Sequence, residues 1–232
     1  MYVALLGDIH GNSYALEKVI SQLPKSIDQL WVTGDLVGYY YNVNEVIEML
    51  SQYKCKIIQG NHERYLYRAL VDPQSLKIYT EKYGSSLQQT IKSLSKKNLQ
   101  FLIDLPMICK IKTENKTTLI CHGSPWDPDA YVYPDCSTET KSKYDNYNYD
   151  FIIQGHTHYP MILEQGHKKI INPGSVGQSR NKLPEAHWAT LDTESGQTEF
   201  FKVDYDKKKL IDQINQFDQY NKYLKTVIGY ND

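Results

Sequence analysis

The sequence predicts an α/β fold, a four-layer α/β/β/α sandwich in which helices flank two mixed β-sheets. Two patterns support this prediction. Short apolar runs alternate with helical patterns over the first third of the chain, as in consecutive βαβ units with parallel strands. Later apolar runs are separated by short polar turns, as in β-hairpins. Two sheets packed face to face, with helices outside, accommodate both halves.

The first third of the chain begins with alternating strands and helices. Three apolar runs are predicted strands: YVALLG, QLWVTG and KCKIIQG. Between them, SYALEKVISQL and NEVIEMLSQ have helical periodicity. From about residue 64 to residue 105 the sequence is polar and mostly helical, with breaks at Asp72-Pro73 and at Gly84. We interpret this stretch as a helical insertion against or over one end of the sheet.

Most of the later strands are predicted to form hairpins. PMICKIK pairs with TTLICHG, PMILEQG with KKIINPG, and HWATLD with QTEFFKVDY. One further apolar run, FIIQGH, follows a polar loop over residues 124–150. A C-terminal helix is predicted over about residues 206–227. No repeat or long linker divides the sequence, so we expect a single domain over residues 1–232.

Composition gives no support for several classes of binding partner. The 232 residues carry a net charge of −1, which gives no electrostatic support for binding nucleic acid or a membrane. No apolar stretch approaches the ~20 residues that span a bilayer, and the start lacks signal-peptide features, so we expect a cytoplasmic protein. The twenty tyrosines could stack on bases, but without a basic groove we attribute them to composition and packing. The oligomeric state stays open, although the tyrosine-rich loops or the C-terminal helix could supply an interface.

Side chains that bind metals follow five of the predicted strands. Ligands bind outside the carboxyl ends of strands in open α/β sheets, so we expect these side chains at one rim. Nitrogen and oxygen ligands without thiolate favour manganese, iron or zinc over calcium or magnesium. In an extended segment, residues i and i+2 point to the same side. Asp8 and His10 of D-x-H can therefore reach one ion, and His156 and His158 of H-x-H likewise face the same side. Seven candidates suit two ions that share a carboxylate: Asp8, His10, Asp35, Asn61, His122, His156 and His158.

Five motifs in fixed order resemble the calcineurin-like metallophosphoesterase superfamily: GDIHGN, GDLVGY, GNHE, CHG and GHTH. The segment NPGSVGQSR is similar to one in the small bacterial and archaeal phosphodiesterase branch, and the resemblance implies that its Asn172 or Ser175 supports the ligand loops. The resemblance also implies two divalent or trivalent ions, with manganese, iron, zinc and nickel as candidates. The implied ligands are Asp8, His10 and His158 for the first ion, Asn61, His122 and His156 for the second, and Asp35 as the bridge.

The resemblance further implies roles for residues around the metals. His62 matches the proton donor to the leaving oxygen, for which the pKa of an imidazole is suitable, unless it only orients a neighbouring group. Arg180 and Arg64 are candidates for binding the substrate phosphate, since guanidinium groups match phosphate oxygens. The alternatives are a surface ion pair for Arg180 and a solvated side chain for Arg64. Asn12 is a third substrate-binding candidate, which could instead cap the following helix.

The implied activity is hydrolysis of a phosphoester by a metal-activated hydroxide, and we favour a small-molecule or nucleotide phosphodiester as the substrate. The second motif, GDLVGYY, lacks the Asp-Arg pair of protein Ser/Thr phosphatases and symmetrical diadenosine tetraphosphatases. Its absence disfavours a phosphoprotein monoesterase without excluding it. The first alternative is therefore a phosphomonoesterase acting on nucleotides, dinucleoside polyphosphates or phosphoproteins. The second alternative is a non-catalytic interaction scaffold, as in the retromer subunit with this fold, but here His62 and every ligand are present.

Overall fold

The computed structural model describes residues 1–180 and 184–229. The strands are β1 (Tyr2–Leu6), β2 (Gln29–Val32), β3 (Cys55–Ile57), β4 (Cys109–Lys112), β5 (Thr117–Ile120), β6 (Phe151–Ile153), β7 (Met161–Gln165), β8 (Lys168–Asn172), β9 (Ala186–Asp192) and β10 (Thr198–Val203). The helices are α1 (Ser13–Ile20), α2 (Val43–Ser51), α3 (Asn61–Val71), α4 (Pro73–Tyr83), α5 (Ser86–Ser93), α6 (Lys96–Ile103), α7 (Thr138–Ser142), α8 (Lys208–Phe217) and α9 (Lys222–Thr226). Within these residues no helix is long and apolar enough to cross a membrane.

The strands form two mixed sheets of five strands each. The first has the order β10-β9-β1-β2-β3, in which β1, β2 and β3 are parallel and β9 and β10 are antiparallel additions. The second has the order β4-β5-β6-β8-β7, with β5, β6 and β8 parallel and β4 and β7 antiparallel. The predicted α/β class, the βαβ start and the three hairpins are confirmed.

The main faces of both sheets are buried. One apolar cluster joins side chains of the first sheet, such as Leu5 and Trp31, to Ile120, Ile153 and Ile171 of the second. The outer face of the first sheet packs against helices. The outer face of the second sheet is covered by the chain between β5 and β6, which includes α7. Because strand ends of both sheets meet at one rim, this arrangement decides where the polar residues after the strands lie.

Four helices, α3 to α6, fill the stretch that was interpreted as a helical insertion. Leu66, Leu87 and Leu102 pack into the same cluster as the helical side of the first sheet. The predicted breaks have local causes. The carboxylate of Asp72 accepts hydrogen bonds from the first backbone amides of α4, and Gly84 ends α4 with a φ of 85°.

The C-terminal segment contains two helices, α8 and α9, instead of the continuous helix predicted over about 206–227. The chain breaks at Asp218, whose carboxylate accepts hydrogen bonds from the backbone amide of Ser85 at 2.8 Å and from the hydroxyl of Tyr41 at 2.7 Å. These partners are distant in sequence, so helical periodicity alone could not reveal the break.

Candidate metal centre

The seven predicted ligands meet at the rim where strands of both sheets end. Asp8 and His10 follow β1, and Asp35 follows β2. Asn61 opens α3 after β3, while His122, His156 and His158 follow β5 and β6. None of the seven side chains is more than 5% exposed. The sequence prediction that these residues converge is therefore matched by their positions.

The ligand atoms form two groups that share one carboxylate. In the first group, one atom each from Asp8, His10, Asp35 and His158 lies within 4.8 Å of the others. In the second, the same holds for Asp35, His122 and His156. Asn61 joins the second group, since its Oδ1 is 2.8 Å from Nε2 of His122. Asp35 is thus positioned to bridge two cations.

Hydrogen bonds to the backbone fix the tautomers in the first group. Nδ1 of His10 lies 2.9 Å from the carbonyl of Val37, and Nδ1 of His158 lies 2.6 Å from the carbonyl of Gln178. A carbonyl can only accept, so both Nδ1 atoms carry the proton and both Nε2 atoms present a lone pair. These two Nε2 atoms are 3.0 Å apart. Two facing lone pairs repel unless a cation or a proton lies between them.

Protonation of a histidine in the first group is an unfavourable way to remove this repulsion. Burial lowers the pKa of His10 to about 4 and that of His158 well below its usual value. Burial also raises the pKa of Asp8 to about 7, because a buried carboxylate without a counter-charge is costly. A metal cation relieves all three problems at once, and the nitrogen and oxygen donors fit manganese, iron, zinc or nickel.

The second group also gathers buried polar atoms. Nδ1 of His122 lies 2.7 Å from the carbonyl of Thr33 and therefore carries a proton, while its Nε2 faces Oδ1 of Asn61 and Oδ2 of Asp35, the latter at 3.4 Å. Burial opposes protonation of His122, but the charge of Asp35 outweighs it and raises the pKa to about 9. Nδ1 of His156 lies 3.1 Å from Nε2 of His122, so this nitrogen faces the group. A cation here would replace the proton on His122 and would be met by Asp35, Asn61 and Nδ1 of His156.

The backbone that presents the ligands is strained. Six non-glycine residues in the described chain have φ between 51° and 69°: Asp8, His10, Asp35, Tyr39, His156 and His158. Five of them are candidate ligands, and each such conformation costs about 1–2 kcal/mol. The sequence argument assumed that the D-x-H and H-x-H segments are extended. The positive φ values show that they are not. Consistent with this, His156 and His158 contribute to different groups.

Glu63 holds the loop that carries the shared carboxylate. Its side chain is fully buried, and its two oxygens accept hydrogen bonds from four backbone amides. Three of these belong to Asp35, Leu36 and Val37, and the fourth to Gly60 at 2.6 Å. The sequence argument did not single out Glu63. Its position three residues after Gly60, which matches a capping-box spacing, was the available signal.

The segment NPGSVGQSR supports the ligand loops, in agreement with the resemblance. Nδ2 of Asn172 donates to the carbonyl of Gly155 at 2.7 Å, directly before His156. The hydroxyl of Ser175 donates to the carbonyl of Asp8 at 2.7 Å. A Cβ at Gly177 would lie 1.9 Å from the carbonyl oxygen of Ile9, so only glycine permits this approach.

His62 lines a pocket of about 170 Å³ beside the ligands. Its Nδ1 has no hydrogen-bond partner in the described chain and lies against Gly38, where a Cβ would be only 2.1 Å away. Nε2 is thus the nitrogen that can reach a substrate. Burial lowers the pKa of His62 to about 3, and a bound anion would raise it by favouring the charged form.

The three substrate-binding candidates lie in different surroundings. Arg180 lines the pocket and donates to the hydroxyl of Tyr39 at 3.2 Å. Arg64 is not among the pocket-lining residues and pairs with the carboxylate of Asp129. Asn12 is fully buried; its Oδ1 accepts from the third residue of α1, and its Nδ2 donates to two other groups. Asn12 therefore caps α1, and Arg64 forms an ion pair outside the pocket.

A family model for the calcineurin-like phosphoesterase superfamily domain matches residues 1–196. An uncharacterized protein of Methanocaldococcus jannaschii is 32% identical to this chain, over 91% of each sequence. The chain also resembles a hypothetical protein of Pyrococcus horikoshii, with a TM-score of 0.82, 25% identity, and coverage of 100% of this chain and 98% of that one.

Two further solved structures share the fold. A metallophosphoesterase of Sphaerobacter thermophilus has a TM-score of 0.78 and 24% identity, with 98% of both chains covered. A structure described as a novel archaeal phosphodiesterase has a TM-score of 0.54 and 17% identity, with 88% of this chain and 100% of that one covered. At these identities both likenesses show the fold alone.

We expect metal binding to raise the stability of the chelator-treated protein, because a cation binds the folded ligand set only. Manganese at 100 times its Kd should raise Tm by about 5–10 °C. Asp35→Asn should abolish most of this rise and reduce the metal content below two ions per chain, since both groups lose a charged ligand. Metal analysis and thermal denaturation measure both effects. The exposed Asp104→Asn is the matched control, and an unchanged ion count in Asp35→Asn would contradict the shared-carboxylate geometry.

Glu63→Gln should destabilise the protein by about 3 kcal/mol, because an amide NH₂ would face backbone N–H donors that now meet a carboxylate. Denaturant unfolding at pH 8 is the suitable measurement, above the pKa of about 7 to which burial raises Glu63. The exposed Glu81→Gln controls for the loss of one negative charge. Equal stability of the two variants would show that the four amides do not depend on Glu63.

Proposed function

Since this chain belongs to the calcineurin-like phosphoesterase superfamily, we propose that it is a dinuclear metal-dependent hydrolase of small-molecule or nucleotide phosphodiesters. One observation carries the proposal: two groups of buried acceptor atoms share Asp35 and adjoin a pocket that also contains His62. This arrangement combines a place for two cations with a group that can transfer a proton.

In the proposed site each group of ligands would hold one ion. Asp35 would be shared by the two groups, and its Oδ1 accepts a hydrogen bond from the backbone amide of His62 at 2.8 Å. When bound, the ions activate a water and neutralise charge on the phosphate. The assigned ligands are Asp8, His10 and His158 for the first ion and Asn61, His122 and His156 for the second.

His62 is the proposed proton donor to the leaving oxygen. Its ring packs against those of His10 and Tyr83, with centroids 4.9 Å and 4.8 Å away, so its orientation is fixed. With Nδ1 against Gly38, Nε2 faces the pocket, where a proton is needed as the ester bond breaks. The side chain is 3% exposed, which keeps bulk water from competing for that proton.

The absence of the phosphatase Asp-Arg pair supports a diester as the substrate. Gly38 and Tyr39 stand where the Asp-Arg pair of the phosphatase motif would be, and the guanidinium near Tyr39 belongs to Arg180. Nε of Arg180 is buried without a hydrogen-bond partner among the described residues, which supports a contact to a substrate phosphate oxygen. Lys82 is the second cationic side chain that lines the pocket.

The substrate class is tested with metal-free protein that is reconstituted separately with manganese, iron, zinc, nickel or magnesium. We expect bis-para-nitrophenyl phosphate to be hydrolysed faster than para-nitrophenyl phosphate, and only with a transition metal. Preferential hydrolysis of the monoester would favour the phosphomonoesterase alternative. No hydrolysis of either ester, despite two bound ions, would favour the scaffold alternative.

His62→Ala should lower kcat in a way that depends on the leaving group. A proton donor matters most when the leaving oxygen is basic, so diphenyl phosphate should lose about 10²–10⁴-fold, and bis-para-nitrophenyl phosphate much less. Metal content should not change, because His62 is outside both ligand groups. The exposed His167→Ala is the control. Equal losses for both esters would assign His62 a structural role.

A further inference from the structure

Tyr131 is an exposed aromatic residue that lines the pocket, and a second exposed tyrosine, Tyr133, lies beside it. We call these two residues the tyrosine pair. Tyr131 is 56% exposed and Tyr133 is 40% exposed. Their rings lie within 13° of parallel, with centroids 6.3 Å apart. Exposed aromatic surface is costly in water, so two aligned rings beside a candidate active site indicate a ligand.

The tyrosine pair is anchored next to the ligands. Tyr131 lines the pocket, and its ring centroid is 4.1 Å from that of His156. Val132, between the two tyrosines, is 1% exposed and packs in the cluster on the outer face of the second sheet. The burial of Val132 fixes the backbone of the pair, so the exposure of the two rings is a property of the fold.

The pocket is small for a whole nucleotide. Its volume of about 170 Å³ is below the roughly 300–1,000 Å³ of pockets that enclose a drug-sized ligand. That space suits a phosphate and the first atoms of its ester groups. Its lining is mostly polar or charged, with Lys82 and Arg180 adding two cationic side chains to the ligands. The remainder of a larger substrate must therefore leave the pocket across the rim.

Another aromatic residue at the pocket, Tyr83, is less exposed than the tyrosine pair. Tyr83 packs against His62 at 4.8 Å and stacks within 17° of parallel on Tyr65 at 5.7 Å. Tyr65 in turn stacks on Tyr79 at 4.5 Å. This tyrosine stack is internal packing of α3 and α4, which leaves the tyrosine pair as the accessible aromatic surface beside His156.

We propose that the tyrosine pair is a stacking site for the nucleobase of a nucleotide substrate. This inference rests on the proposed function, because it assumes that the phosphate occupies the pocket. A flat, neutral ring stacks on tyrosine without a basic groove, which agrees with the net charge of −1. The preferred substrates are then phosphodiesters of nucleotides, and esters of alkyl alcohols or glycerol bind more weakly.

The test compares two ligands that differ only in the base, AMP and ribose 5-phosphate. Isothermal titration calorimetry on the manganese-loaded full chain gives both Kd values without requiring turnover. We expect AMP to bind about 10-fold or more tightly than ribose 5-phosphate. Tyr131→Leu should bring this ratio close to 1, and Tyr131→Phe, which keeps the ring, should preserve it. Tyr53→Leu, an exposed tyrosine outside the pocket lining, is the matched control.

The possible outcomes separate this proposal from the proposed function. A ratio near 1 in the wild type, or a ratio that Tyr131→Leu leaves unchanged, overturns the stacking site even if diester hydrolysis is observed. A ratio that depends on Tyr131 supports the stacking site, and a parallel hydrolysis assay then shows independently whether the protein is an esterase.

Discussion

The structure depends on one electrostatic constraint: hydrogen-bond acceptor atoms of the candidate ligands converge in the buried rim of the sheets, with too few hydrogen-bond donors among them. The Nε2 atoms of His10 and His158 face each other with lone pairs, because each ring donates its Nδ1 proton to a backbone carbonyl. Asp35 lies between this group and the second one. In the folded chain such a cluster is unfavourable unless cations occupy it. The fold therefore creates a site whose stability depends on bound positive charge.

The surrounding structure stabilises this unfavourable cluster. Ligands in left-handed backbone conformations cost free energy, and this cost must be offset by packing elsewhere. The apolar layer between the two sheets supplies burial, while Glu63 and the segment NPGSVGQSR hold the ligand loops through directed hydrogen bonds. Strained loops on a rigid double-sheet frame keep the ligands in position before a cation binds, which reduces reorganisation when it does.

Local patterns in the sequence were sufficient to predict the sheets and to indicate which side chains meet at their rim. Asp8, Asp35 and His122 each follow an apolar run, and the rule that polar residues after parallel strands meet at one rim is a property of the fold class. The same local reasoning identified Asn12 as a possible cap, and the structure bears out the cap. Arg64 illustrates the limit, because nothing near it in sequence indicates that Asp129 would neutralise it.

Features that depend on distant partners could not be predicted. Glu63 acts on amides 26 to 28 residues away, and the C-terminal helix is broken by contacts of Asp218 with Ser85 and Tyr41. The tyrosines were attributed to composition, yet Tyr131 lies beside His156 because a buried valine anchors the loop. Long-range contacts of this kind have no periodic or motif signal in a single sequence.

Electron paramagnetic resonance of the protein loaded with two manganese ions per chain tests the central claim most directly. If Asp35 bridges the two groups, the ions are close enough for their spins to couple, and the spectrum should show a coupled pair. In Asp35→Asn either the coupling or the bound manganese should be lost. Two independent manganese signals in the wild type at full loading would contradict the account, because the ligand groups would then not form a shared centre.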